Sequence, residues 1–220
     1  MQRNQSGFTL IEIAIVLVII GLLLGGVLKG QELINSAKVK NLATDFKNIP
    51  VFIYGYQDKF RSLPGDDPRV VINVNGTLST TTPANVGNGV IDGLWKPAAE
   101  TDETALFWQH VRLANLAAGS TVVSLAVGNT YIPVNAVGGT IGITSAAASP
   151  ILMKGSYIVC SDAIAGKFAR QLDTTLDDGV TNTGSVQVVL AGTVTVATVA
   201  NSLVLTPAND DTPYLVCMGF

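Results

Sequence analysis

One carboxylate, Glu12, interrupts a stretch in which every other residue from Phe8 to Leu28 is apolar, glycine or threonine. In hydrocarbon such a charge costs about 2.5–3.5 kcal/mol near the middle of a span and less near its end. An acid in that setting is a functional residue by default, and its chemistry is to meet a cation. Asp173, Asp177 and Asp178 gather three more carboxylates ahead of Gly179. Calcium takes oxygen ligands from flexible turns of this kind, and turn-forming aspartates that accept from backbone N–H groups account for the same pattern. Asn88-Gly89-Val90-Ile91-Asp92-Gly93 is only a loose echo of a calcium loop, and Asp66 and Asp67 read as caps of a turn. Cys160 and Cys217 are the only cysteines, able to form one bond or to stay as two buried thiols. His110 is the only histidine and lacks the partner that a metal site or a catalytic pair needs, which leaves a packing or surface role. The chain has no Gly-Xaa-Ser-Xaa-Gly elbow, P-loop or Cys-Xaa-Xaa-Cys pair, and nothing places Gly138-Gly139-Thr140-Ile141-Gly142 between a strand and a helix. No enzyme reading follows from these residues.

The elements that must hold them start with a helix. The 21 residues Phe8 to Leu28 span about 30 Å as an α-helix, enough to cross a bilayer's hydrocarbon core. Beyond Lys29 the pattern turns amphipathic, with Leu42, Phe46, Ile49, Ile53, Tyr56 and Phe60 spaced alternately four and three apart, and Leu33, Ile34 and Ala37 beginning the stripe. One helix of about 80 Å from Phe8 to Phe60 is expected, kinked at Pro50 and stopped by Leu63-Pro64-Gly65-Asp66-Asp67-Pro68. Thr101-Asp102-Glu103 opens a second helix over about 102–117. The stretches Leu113–Met153 and Gly179–Asn209 hold no charged residue, and Val186–Leu190 and Thr193–Val199 read as strands, as do Ser156–Cys160 and Tyr214–Cys217. Exposed, such uncharged strands risk edge-to-edge pairing, which contact with neighbouring copies would cover. The fold class is α+β: a long N-terminal helix packed on a small antiparallel sheet, with Trp95 and Trp108 in the core.

Composition narrows the partners. Of 220 residues 48% are hydrophobic and 13% charged, and the net charge is −3. That balance lacks the basic patch that nonspecific nucleic-acid binding needs, so no nucleic-acid partner is expected. Arg3 precedes the apolar run while Lys29, Lys38 and Lys40 follow it, so charge alone does not orient the span.

The leader Met1-Gln2-Arg3-Asn4-Gln5-Ser6-Gly7, the string Phe8-Thr9-Leu10-Ile11-Glu12 and the apolar run after it resemble the prepilin leader of the type IV pilin and type II secretion pseudopilin superfamily. The resemblance implies cleavage after Gly7 by a prepilin peptidase and N-methylation of Phe8. It divides the chain into a leader (1–7), a membrane and assembly half of the first helix (8–28), an amphipathic half (29–63) and a head (64–220). It also supplies the cation for Glu12: the new ammonium on Phe8 of a neighbouring subunit, a pairing that would set register between parallel helices. The cut precedes the apolar run, so the span stays in the mature chain. Loss of Arg3 would leave 12 basic residues against 16 acidic.

Other expectations follow from the same resemblance. The partners are further pilin or pseudopilin subunits and an inner-membrane assembly platform. The head would lie in the periplasm and then in a pilus or periplasmic filament, where oxidising conditions favour a Cys160–Cys217 bond worth about 3–4 kcal/mol. Some members bind calcium in the head, which adds to the reading of Asp173, Asp177 and Asp178. Many carry a proline in the helix soon after the span. Here none lies between Phe8 and Ile49; Gly21, Gly25 and Gly26 stand there instead, loosening the helix or permitting close helix contacts. The expected role is a minor pilin or pilin-like filament subunit, with a pseudopilin or a filament-displayed adhesin as alternatives.

Overall fold

The computed structural model describes residues 9–80, 85–128 and 130–220. The chain divides into two compact units, residues up to Lys38 and Val39–Phe220. Helix α1, Leu10–Phe60, contributes to both. In the first unit its apolar side chains stand exposed, and one 18-residue window reaches a mean hydropathy of 2.8 with none of it buried. Leu33, Ile34 and Ala37 are exposed as well, so they do not begin the packed stripe as their spacing suggests. The buried face starts at Val39 and runs through Leu42, Ala43, Phe46, Ile49, Ile53 and Tyr56, the residues of α1 that lie in the second unit.

In the second unit α1 continues through a buried Pro50 and ends at Phe60, where the spacing puts its end, ahead of the Leu63–Pro68 stop. Arg61 takes a left-handed conformation (φ 57°) while its N–H donates to the Gln57 carbonyl at 2.8 Å, which closes the last turn. A short helix α2, Val70–Val74, follows, and then α3, Glu103–Leu113. Helix α3 is shorter than the 102–117 span expected. It stops because Asn115 turns left-handed (φ 60°) and the N–H groups of Leu116 and Ala117 bond back to the Val111 carbonyl.

A four-stranded antiparallel sheet follows: β1 (Ile141–Ser145), β2 (Tyr157–Ala165), β3 (Val186–Leu190) and β4 (Pro213–Gly219), in the order β1-β2-β4-β3. The period of two sorts their side chains onto two buried faces. Ile141, Ile143, Tyr157, Val159, Val186, Val188, Tyr214 and Val216 share one core with α1 and with Phe107, Trp108 and Val111 of α3. Ile158, Cys160, Val189, Leu215 and Cys217 form the other, with Trp95, Ile151 and Met153. The α+β class is as the sequence implies, and both tryptophans are buried. Helix α4, Gly166–Leu176, leaves β2 directly and sets Phe168, Ala169 and Leu172 into the first core.

Thr193–Val199 is not a strand. Gly192 turns the chain (φ 72°) after β3, and the segment beyond it serves as cover: the Thr193 carbonyl accepts from Trp95 Nε1 at 2.8 Å, and Ala197 N–H donates to the Ser149 carbonyl at 2.9 Å. The outer side of β3 is also occupied from within the chain. Val188 N–H donates to the Thr181 carbonyl at 2.9 Å and the Val188 carbonyl accepts from Leu203 N–H at 2.8 Å, so cover at this point does not wait for a neighbouring copy.

Candidate functional site

Five groups of side chains carry chemistry, and they are placed by different parts of the fold. At the start of α1, Thr9 is the residue before the first helical position and Glu12 the third within it. Glu12 Oε2 accepts from the Thr9 N–H at 2.8 Å and from Thr9 Oγ1 at 2.7 Å, while Thr9 Oγ1 lies 3.3 Å from the Glu12 N–H. This is a capping box, in which side chain and backbone of the two residues satisfy each other. Its signal, threonine and glutamate three apart ahead of an apolar run, stands in the sequence. Glu12 is exposed on the single chain, and so are the apolar residues that follow it. Gly7 and Phe8 lie outside the described residues. Among the described residues a Cβ at Gly21, Gly25 or Gly26 would meet nothing within 4 Å, so no described part of the chain calls for their small size.

The cysteines are brought together. Cys160 and Cys217 are direct register partners on β2 and β4, with Cα atoms 4.1 Å apart, and they form a disulfide. It lies in the buried face of the sheet against Trp95, Ile151 and Met153.

The three clustered aspartates also converge. One oxygen from each of Asp173, Asp177 and Asp178 lies within 4.8 Å of the other two. Asp173 sits on the buried face of α4, one turn after Ala169, and is fully buried. Among the described residues, neither of its carboxylate oxygens accepts a hydrogen bond. Burial pushes its pKa up to about 7, helped by the charges of Asp178 and Asp177. Asp177 Oδ2 accepts from the N–H groups of Ser185 at 2.5 Å and Val186 at 2.9 Å. Asp178 accepts from Val180 N–H at 2.8 Å and from Thr183 Oγ1 at 2.9 Å. The sequence reading grouped these residues without recognising α4, although Phe168, Ala169, Leu172 and Leu176 stand at helical spacing and would have put Asp173 on the inner face.

The loop echo of a calcium site resolves differently. Asp92 Oδ2 accepts from the side-chain amides of Asn85 and Asn88, both at 3.1 Å, and Asn88 Oδ1 accepts from Val90 N–H at 2.7 Å. These bonds are those of a turn, which Glu103 also holds by accepting from Asp92 N–H at 2.7 Å. Asp67 caps locally as expected, with Arg69 N–H at 2.8 Å, and also takes Tyr56 Oη at 2.8 Å and Asn73 Nδ2 at 2.7 Å. Burial opposes its charge, but the bonds from Asn73, Tyr56 and Arg69 outweigh it and hold Asp67 below the usual carboxylate range. Asp66 is not a local cap: it reaches across to the N–H groups of Gly87 and Gly89, and burial still holds its pKa high.

His110 is fully buried on α3. Its Nδ1 accepts from Gly65 N–H at 2.9 Å, so its Nε2 carries the proton and donates to the Thr77 carbonyl, also at 2.9 Å. Gly65 is required there: it has a φ of 92°, and a Cβ would run into the Glu103 carbonyl. Burial lowers the pKa of His110 to about 4. The ring is a tie between α3 and the segments that follow α1, which is the structural role the lone histidine suggested.

A groove of about 320 Å³ on the head is lined by uncharged side chains, among them Tyr54, Gln57, Ser156, Tyr157 and Phe220. Tyr157 and Phe220 stack there with ring centroids 5.5 Å apart.

Compared with known proteins, residues 2–28 match the model of the prokaryotic N-terminal methylation motif. No curated protein and no solved structure matches the chain.

Proposed function

We propose that this chain, which carries the prepilin-type leader of type IV pilins and pseudopilins, is a structural subunit of a type IV pilus or related filament, in the role of a minor pilin or pilin-like protein. The observation that carries the reading is the motif at residues 2–28 running directly into an exposed apolar helix with one carboxylate near its start. Prepilin peptidase would cut after Gly7 and methylate Phe8. The helix would then hold the subunit in the inner membrane with the head in the periplasm. On assembly it moves from lipid into a core of parallel helices, one apolar surrounding for another, so the transfer has little net hydrophobic cost. A neighbour's Phe8 ammonium would meet Glu12 and fix the stagger between subunits, because either charge alone is expensive in that core. Other subunits and an inner-membrane platform are the partners this requires, and no catalytic role is assigned to the head. Mass spectrometry of the native N-terminus tests the reading. A chain beginning at N-methylated Phe8 is expected; an unmodified chain beginning at Met1 overturns it.

A pseudopilin of a type II secretion system would be built from the same parts, and deletion strains scored for surface fibres and for secretion separate the two. A binding role for the head is favoured by one observation, the uncharged groove with Tyr54, Tyr157 and Phe220. Aromatic faces with polar neighbours suit carbohydrate or another neutral surface ligand. Glycan-array binding that disappears in Tyr54→Ala would support it, and silence across the array would remove it.

A further inference from the structure

We infer that the aromatic groove of the head and a neighbouring cationic cleft form one site for an acidic saccharide. Sugar faces would lie against Tyr54 and Phe220, and a carboxylate or sulfate on Arg61 and Arg69. This rests on the binding role raised above for the head, and it names the ligand class that role would serve. The cleft, about 340 Å³, is lined by Arg61, Ser62, Pro68 and Arg69 where the chain leaves α1. Gln57, Leu63 and Gly89 line both this cleft and the aromatic groove of about 320 Å³, so the two run together. Each alone falls within the size of small-molecule clefts, about 300–1,000 Å³.

The charge of the cleft is available to a ligand. Asp66 lines it as well, but its carboxylate oxygens are taken by the N–H groups of Gly87 and Gly89. Asp67 is held by Tyr56 Oη, Asn73 Nδ2 and the Arg69 N–H. Among the described residues the ion pairs are Lys29–Glu32, Lys167–Asp211 and Arg170–Asp210, and none involves Arg61 or Arg69. The Arg69 guanidinium reaches only the Phe60 carbonyl among those residues, at a long 3.5 Å, and most of its five donors stay open. Arg61 is the less expected of the two. It holds a left-handed backbone (φ 57°) just past the end of α1, where glycine fits without steric conflict and is the usual choice. Strained backbone of this kind clusters at ligand-binding sites, and here the strained residue is one that lines the cleft.

The rest of the site selects a sugar chain. Tyr54 is exposed, and Phe220 is backed by the buried Tyr157 in the stack already described, so the groove offers firm apolar faces. Gln57, Ser62 and Ser156 set neutral hydrogen-bonding groups between those faces and the arginines. Guanidinium groups pair through two parallel bonds with carboxylates and with tetrahedral oxyanions. A peptide finds less to hold. The strand that reaches the site, β2, already has β1 and β4 on either side, so it presents no free edge for an added strand.

The test places the full chain, in detergent, on an array of oligosaccharides printed in matched pairs. Each acidic member (uronic, sialylated or sulfated) stands beside its carboxyl-reduced or desulfated counterpart. The acidic members should bind at least about tenfold tighter, with the advantage shrinking as salt is raised. Arg61→Gly and Arg69→Gln should each remove most of that preference, while Tyr54→Ala should weaken both members of a pair alike. Glycine suits the left-handed backbone at 61, so Arg61→Gly should melt at an unchanged temperature, which separates lost binding from lost fold. Equal binding of acidic and neutral members, weakened by Tyr54→Ala, overturns the proposal and leaves a neutral binding role standing. An acid preference that both arginine variants retain also overturns it, as does an oligoglutamate peptide that competes as well as the acidic sugar. Silence across the whole array removes the binding role and this proposal with it.

Discussion

Thr9 and Glu12 satisfy each other across the first turn of α1, with two bonds converging on Glu12 Oε2 and the Glu12 N–H donating back to Thr9 Oγ1. The carboxylate thought of as waiting for a partner in another subunit therefore already has one in its own chain. Its two tasks, ending the helix cleanly and meeting a neighbour's ammonium, need different properties. The cap needs an acceptor; the intersubunit contact needs a charge.

Glutamine separates them. At this position Gln serves a capping box as Glu does, but it is neutral. If charge sets the register, Glu12→Gln and Glu12→Ala should both be cut and methylated normally and both enter filaments roughly tenfold less than the unmutated chain. Quantitative blotting of sheared fibres against membrane fractions measures this. Normal incorporation of Glu12→Gln would show that the cap, not the charge, is what assembly uses.

His110 should titrate far below an ordinary histidine. Its folded pKa of about 4 lies under the unfolded value of about 6.5, so the neutral ring contributes its full stability above pH 6.5 and loses it as pH falls through the window from 6.5 to 4. The loss amounts to about 3 kcal/mol across that window. As the only histidine it gives one resolvable ring signal by NMR, and that signal should stay in its neutral, Nε2-protonated form at pH 5. Asp173 titrates in the opposite sense, which makes this residue-resolved measurement more telling than a bulk melt. A midpoint near 6.5 would contradict the buried, doubly bonded ring.

Tyr56 donates to Asp67 at 2.8 Å in a fully buried setting on α1. Tyr56→Phe keeps the ring and removes one of the donors that hold the charge. Bonds to charged groups contribute about 1.5–3 kcal/mol, and urea unfolding should register a loss in that range with an unchanged slope. A cost under about 0.5 kcal/mol would mean that water or Asn73 takes over the carboxylate.

The Cys160–Cys217 bond closes a 57-residue separation, and replacing both cysteines with alanine should cost about 3–4 kcal/mol. For a head of this size that lowers the melting temperature by roughly 6–16 °C. The same shift should appear on adding a reductant to the unmutated chain and vanish in the double variant.

The sequence made α1 legible because its two patterns are strong: an unbroken apolar run, then residues spaced four and three apart to Tyr56. Strand β3 was found at its observed bounds, since Val186–Leu190 is β-branched and uniformly apolar save Gln187. Thr193–Val199 has the same composition and is no strand, because a ladder needs a partner and this segment's bonds go to Trp95 and Ser149. Helix α4 was hidden by its polar residues, and with it the burial of Asp173, which only tertiary packing produces. The pairing of Cys160 with Cys217 was implied by compartment, but that they face each other across two strands is a matter of register.

The bonds from Thr181 and Leu203 to Val188 have a reach beyond the head itself. With that flank of the sheet already occupied, two heads cannot zip together there strand to strand, and the head offers no cross-β route to polymerisation along β3. In a fibre built from this subunit, contacts between heads would then have to use surfaces other than the β3 edge.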